Sequence, residues 1–291
     1  MRFILRTFSS RWSSASYSTN PTQRQTEMMA RGLPKQMHLD GVKDIVVVAS
    51  GKGGVGKSTT SVNLAVMLAQ MGKRVGLLDG DVFGPSIPLM MNLNDTPLVD
   101  ENNLMIPLQN YGVKCISMGF LIDPNKPIIW RGPLVMSALQ RLLRGVSWKP
   151  LDILIIDTPP GTGDIHLSIA QNVPVSGTIL VSTPQTAALN VTKRGAEMYQ
   201  TLKVPLIGLV ENMSHVICTN CKEKLQIYPK NTAELANDLG VDILASLPMD
   251  SQVSHCADSG VPIVVKSTNS THHKCYENIA NKLLDFLDKH Q

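Results

Sequence analysis

The sequence contains no run of about 18 consecutive apolar residues, so no membrane-spanning helix is expected. Cysteine is scarce. There are five in 291 residues, an odd number, and none precedes Cys115. That usage does not suggest a secreted, disulfide-stapled domain. Charged residues make up only 17% against 43% hydrophobic, so a sizeable core can form and wholesale disorder is excluded. The length fits one large domain or two small ones. No internal repeat and no low-complexity tract stand out beyond the first residues.

Acidic residues are absent before Glu27. The opening stretch MRFILRTFSSRWSSASYSTN holds Arg2, Arg6 and Arg11 and many serines. Phe3, Ile4, Leu5 and Phe8 can share one face of a short helix. Residues 1–20 therefore read as a mitochondrial transit peptide, which implies a matrix location; a disordered basic tail is the plainer alternative. Without those residues the net charge falls from +4 to +1, because they carry three arginines and no acid. The basic balance belongs largely to this leader, and a nucleic-acid partner is not expected. Residues 21–43 read as a polar surface segment, and 44–291 as a single domain.

Ile45–Ala49 is a continuous, mostly β-branched apolar run, as a strand buried on both faces requires. A glycine loop follows, then a helical pattern from Ser58 to Met71 closed by Gly72. Further short strands are predicted at Val75–Leu78, Leu151–Ile156, Thr178–Val181, Leu206–Val210 and Ile243–Leu247, with a helix near Ala187–Leu202. Strand, loop and helix in repetition imply right-handed βαβ units, an α/β fold with a mostly parallel sheet flanked by helices. Ligands of such sheets sit at the carboxyl ends of the strands. Asp79, Asp81, Asp157, Asn212 and Pro248 all fall there. Residues 84–150 are proline-rich and give no clear pattern. His272, His273 and Cys275 read as a loop before a last helix, whose apolar stripe is Tyr276, Ile279, Ala280, Leu283, Leu284 and Leu287.

The loop itself reads ASGKGGVGKSTT from Ala49 to Thr60. Gly51-Lys52-Gly53-Gly54-Val55-Gly56-Lys57-Ser58 fits the phosphate-loop pattern, with Thr59 next in the helix. Its glycines let backbone N–H groups converge on phosphate oxygens, and the helix dipole favours the same anion. Lys57 is expected to reach the outer phosphates of ATP, and the Ser58 hydroxyl to bind magnesium. Asp157 ends an apolar strand and can hold magnesium through water. The turn Pro159-Pro160-Gly161-Thr162-Gly163-Asp164 lies near the γ-phosphate position, and one of Asp79 and Asp81, Asp81 in preference, is the candidate for orienting an attacking water. Lys52 is one lysine more than the loop needs. Pointed outward, it could reach a nucleotide held by a partner subunit, reciprocally in a two-fold dimer.

Cys218-Thr219-Asn220-Cys221 is the only C-x-x-C. A redox pair, zinc and an iron–sulfur cluster are all open readings. A metal site of four thiolates would need two copies of the pair, which a homodimer supplies.

The two-lysine loop KGGVGKST resembles the deviant phosphate loop of the MinD-type ATPases. That class includes nitrogenase iron protein, partition ATPases and Mrp-like iron–sulfur carriers. The resemblance implies that Lys52 crosses a face-to-face dimer to the other subunit's ATP. RGLPKQ, LLDGDVFGPSIP, YGVKCISMGF, IIWRGPLVMSAL, IIDTPPGTGD, VSTPQTAAL and GLVENMS, with the cysteine pair, narrow the likeness to the Mrp subgroup and its mitochondrial branch. That branch is regarded as assembly factors for respiratory complex I. The likeness covers residues 31–265, and Gly80 between Asp79 and Asp81 is a departure in a spacer. It implies a weak ATPase that holds a labile 4Fe–4S cluster between two subunits and passes it to apo iron–sulfur proteins, complex I subunits among them. It also implies that Asn212 and the region after Pro248 approach the adenine. A positioning ATPase on DNA or membrane explains the loop and leaves the cysteines without a role. An electron-transfer ATPase would keep its cluster through turnover.

Overall fold

The computed structural model describes residues 36–122, 132–218, 220–228 and 231–290. The transit-peptide reading of residues 1–20, and all but the end of the segment 21–43, lie outside them. One compact unit, Gln36–Gln291, contains everything below.

In chain order the elements are β1 (Val42–Ala49), α1 (Lys57–Gln70), β2 (Val75–Asp79), α2 (Ile87–Met90), β3 (Leu108–Asn110), β4 (Val113–Ser117) and α3 (Gly132–Arg144). Then come β5 (Leu151–Asp157), α4 (Asp164–Asn172), β6 (Gly177–Ser182), α5 (Thr186–Thr201) and β7 (Leu206–Glu211). The chain closes with β8 (His215–Ile217), β9 (Lys224–Gln226), α6 (Thr232–Leu239), β10 (Ile243–Ser246), α7 (Ser251–Asp258), α8 (Ile263–Lys266) and α9 (Thr271–Lys289).

Eight strands form one sheet in the order β10-β7-β6-β1-β5-β2-β4-β3. Every pairing is parallel except that of the short edge strand β3 with β4. The parallel strands are apolar along their length because helices cover both faces and leave no wet side. Val46, Val47 and Val48 of β1 and Leu154, Ile155 and Ile156 of β5 are wholly buried. α1 and α9 pack together, and α9 also lies on β10. β8 and β9 form a separate antiparallel hairpin.

Two features depart from expectation. Region 84–150 holds a sheet strand, β4, in register with β2 from Val75↔Val113 to Asp79↔Ser117. Only five residues long and broken by Lys114, it lacks the uninterrupted apolar run that marks β5. His272, His273 and Cys275 are helical and do not form a loop. Ser270 caps α9, its Oγ accepting the His273 N–H at 3.1 Å, and so starts the helix ahead of the apolar stripe. Among the described residues no helix is long and apolar enough to cross a membrane.

Replacing Leu154, at the centre of the sheet, with alanine removes wholly buried apolar volume. Urea unfolding should show about 2–5 kcal/mol of lost stability with an unchanged denaturant slope.

Candidate functional site

The loop between β1 and α1 is held from two sides, and two glycines show how. A Cβ on Gly51 would lie 2.5 Å from the backbone of Val191 and Thr192, so the loop begins flush against α5. Gly56 has φ +86°, and a Cβ there would meet Asn212 Nδ2 at 2.1 Å. That amide donates to the Val55 carbonyl at 2.8 Å, tying the end of β7 to the loop. Side chains at 51 and 56 would thus force the loop off its supports.

The chemistry gathers on Asp157, the last residue of β5. Lys57 Nζ lies 2.8 Å from its Oδ2, and both side chains are almost fully buried. Ser58 Oγ donates to Oδ2 at 2.6 Å and Ser61 Oγ to Oδ1 at 2.6 Å. Lys57 Nζ also donates to Ser58 Oγ at 3.1 Å. Above them opens a cavity of about 240 Å³ lined by Gly53, Gly54 and Gly56 of the loop with Lys52, Lys57, Ser58, Thr59, Asp81 and Pro160. Magnesium takes oxygen ligands and keeps several waters. The adjacent Ser58 hydroxyl and Asp157 carboxylate are a donor set that fits it, and the outer phosphates of a nucleotide would complete its shell. Ser61 was not singled out from the sequence; its signal is its place one helical turn after Lys57.

Asp79 stands directly across from Asp157 in the β2–β5 register. Burial, and then the charge of Asp157, push its carboxyl up to about 7. Ser117 Oγ donates to it at 2.9 Å. Asp81 is half-buried at the cavity wall, and its Oδ1 accepts the Gly84 N–H at 3.3 Å. Lys52 is exposed, and its ammonium pairs with no group among the described residues.

The second candidate centre is the β8–β9 hairpin. Cys218 and Cys221 sit at its turn, closed by Cys218 N–H to Glu223 O at 2.9 Å and Lys222 N–H to Cys218 O at 3.0 Å. Backbone N–H groups of Cys221 and Asn220 aimed at the Cys218 sulfur hold its thiol below the usual range, as a metal-binding thiolate needs. Cys115 and Cys256 are buried elsewhere. Among the described residues no group of three or more His, Cys, Asp or Glu could hold a metal ion. Cys218 and Cys221 thus offer two thiolates with no third His, Cys, Asp or Glu beside them among the described residues. Pro248 lines a cavity of about 360 Å³ beside Cys218, and is not among the residues lining the cavity at the phosphate loop. Asn212 joins the two centres. Its Oδ1 accepts the Met213 N–H at 2.9 Å, one residue before Ser214 and the hairpin.

A glycine loop with one lysine buried on a strand-end carboxylate and a second lysine free and exposed, at the carboxyl end of a parallel sheet, defines a P-loop NTPase of the MinD-type class. Comparison narrows the class: residues 41–284 match the ParA-type family described as NUBPL iron-transfer P-loop NTPase, and the chain belongs to that family. It is 51% identical over 265 residues to the mouse iron–sulfur cluster transfer protein NUBPL, covering 90% of this chain and 83% of that one. It is 49% identical to the Arabidopsis thaliana iron–sulfur protein required for NADH dehydrogenase, covering 89% of this chain and 83% of that one. Among solved structures, the nucleotide-binding protein of Archaeoglobus fulgidus in complex with ADP superposes with a TM-score of 0.68 at 36% identity, covering 77% of this chain and 88% of that one. The cell division ATPase MinD of Pyrococcus furiosus shares the fold, with a TM-score of 0.60 at 22% identity, over 83% of this chain and 98% of that one.

Two outcomes test this geometry. Gly56→Ala should abolish nucleotide binding in calorimetric titration, because the loop cannot keep both its left-handed turn and the Asn212 contact. Asp79 has a folded pKa above its unfolded value, so its contribution to stability is present at acid pH and lost as pH rises through about 7. Urea midpoints of the nucleotide-free protein should therefore fall between pH 5 and 8 more steeply than those of Asp79→Asn.

Proposed function

We propose that this protein is an ATP-dependent carrier of a 4Fe–4S cluster, held between two copies of the chain and passed to apo iron–sulfur proteins of respiratory complex I in the mitochondrial matrix. The observation that carries the reading is Asn212. One side chain grips Val55 of the phosphate loop and the backbone that leads into the cysteine hairpin. Occupancy of the loop and the setting of the thiols are then joined by a single rigid residue.

In this reading Gly51, Gly53, Gly54, Val55, Gly56 and Thr59 cradle the phosphates of ATP, Lys57 neutralises them, and Ser58 and Asp157 hold magnesium. Asp81 orients water for slow hydrolysis. Lys52 reaches the partner's nucleotide, which accounts for an ammonium without a counter-charge among the described residues. Cys218 and Cys221 from each copy hold the cluster, which is cargo. Asn212 and the region after Pro248 would approach the base; Pro248 lines the cavity on the hairpin side. The leader 1–20 delivers the chain and is removed. A positioning ATPase would leave the thiol-stabilising turn without a use.

Anaerobic reconstitution tests the reading. The wild type should take up about four iron atoms per dimer, and Cys218→Ala should take up almost none while remaining folded. Iron bound equally by that variant, or a loaded protein that stays monomeric in sedimentation, sinks it. Lys52→Ala should keep ATP affinity within about threefold and lower the hydrolysis rate at least tenfold, as expected for a residue acting in trans.

A further inference from the structure

The turn after β5 presents a difficulty of its own. Pro159 and Pro160 have no backbone N–H, so the stretch they form cannot be anchored by its donors. Its flanks are tied. Thr158 N–H reaches Val48 O at 3.2 Å, and Gly161 N–H reaches Ser50 O at 2.8 Å. Between them only carbonyls are available to a partner, and the Pro159 carbonyl is taken by a side chain, His166 Nε2, at 3.0 Å.

His166 lies on α4 and is 1% exposed. A carbonyl only accepts, so Nε2 carries the proton. Nδ1 is then an acceptor, and Tyr199 Oη donates to it at 2.7 Å. Both ring nitrogens are satisfied with the ring neutral. Burial agrees, pushing the imidazole down to about 4. The His166 backbone N–H also closes the far end of the turn on Gly163 O at 3.1 Å.

Tyr199 belongs to α5, the helix against which Gly51 abuts at Val191 and Thr192. Pro160 in turn leans over the loop, 3.8 Å from where a Cβ of Gly53 would stand, and walls the phosphate cavity together with Asp81. The contacts form a ring: phosphate loop, α5, Tyr199, His166, Pro159, Pro160, and back to the loop. With ATP in the loop, the loop's own N–H groups would take the inner phosphates. The side walled by Pro160 and Asp81 would be left for the outermost one.

We infer that His166 is a positioning residue that holds the Pro159–Pro160 turn against the phosphate loop and so sets the preference for a nucleoside triphosphate over a diphosphate. It touches no phosphate itself; it acts through the turn. The inference rests on the reading that the loop binds ATP.

Calorimetric titration of the full chain with magnesium-ATP and with magnesium-ADP tests it. His166→Ala should weaken ATP about tenfold and leave ADP within about twofold, the scale of losing one buried hydrogen-bonded link. His166→Gln, which can donate to Pro159 O and accept from Tyr199, should stay within about threefold of wild type for both. Tyr199→Phe keeps the ring packing and should shift the ATP-to-ADP ratio in the same direction by about threefold, so the test survives a poorly folded alanine variant. Equal weakening of ATP and ADP in these variants, or no change in either, overturns the inference whatever the melting temperature does. Wild-type protein that binds no ATP, or binds it equally with Lys57→Ala, overturns the reading of the loop and this inference with it. Normal wild-type binding with an unchanged ratio in the variants overturns this inference alone.

Discussion

At the end of β5 the Asp157 carboxylate is wholly buried, and three donors from α1 converge on it: Lys57 Nζ, Ser58 Oγ and Ser61 Oγ. A buried carboxylate without partners costs several kcal/mol, and so does a buried ammonium. Each therefore makes the other tolerable, and removing either leaves the full penalty of the survivor. The consequences spread through the register of the sheet. β5 lies between β1 and β2, so fixing α1 to its last residue fixes the loop between β1 and α1 as well. It also puts Asp79 beside a charge that is already committed. The second carboxyl answers by holding its proton up to about neutral pH, a cost the site accepts in order to have two acids at adjoining strand ends.

From that anchored loop, order passes outward by single side chains. Asn212 reaches from the end of β7 to Val55, and the backbone that follows it enters the cysteine hairpin. The hairpin is fastened on its other side, where Met249 N–H donates to His215 O at 2.8 Å and Ser214 N–H to Leu247 O at 2.9 Å. A two-stranded hairpin is marginal alone. Here its base is pinned to β7 and to the segment after β10, while its turn, which carries both thiols, stays at the surface. In the proposed function, a hairpin held at the root and open at the tip suits a ligand set that must exchange its cargo.

Much of this could be read from the residues. The parallel strands declare themselves because burial on both faces demands uninterrupted apolar runs, and Ile45–Ala49 and Leu151–Ile156 have them. The phosphate loop is legible because its pattern includes Gly51 and Gly56, which are required by contacts that admit no side chain. What escaped did so for physical reasons. β4 is short and interrupted by Lys114, so neither period emerges. The start of α9 depends on one Ser270 cap, and the apolar stripe that reveals the helix begins only at Tyr276. His166 carried no signal at all. A histidine between Ile165 and Leu167 reads as an ordinary helix residue until the fold brings Pro159 and Tyr199 to its two nitrogens.

Lys52 and Lys57 are the same residue five positions apart, and the sheet treats them oppositely. Lys57 is desolvated and must have Asp157; Lys52 keeps its water and needs no partner. An exposed ammonium on a loop held this firmly gives almost nothing to the stability of its own chain, so its position calls for an explanation outside the chain. As cluster ligands in the proposed function, the thiols pose the same question, since two sulfurs cannot satisfy a metal that wants four. Lys52 follows the carboxyl end of β1 and the hairpin follows the carboxyl end of β7, two strands that run in the same direction in one sheet. Both features therefore rise from the same, carboxyl end of the sheet. In the proposed pairing a single two-fold contact across that end of the sheet would complete both, whereas separate partners would each have to find the same side of the molecule independently.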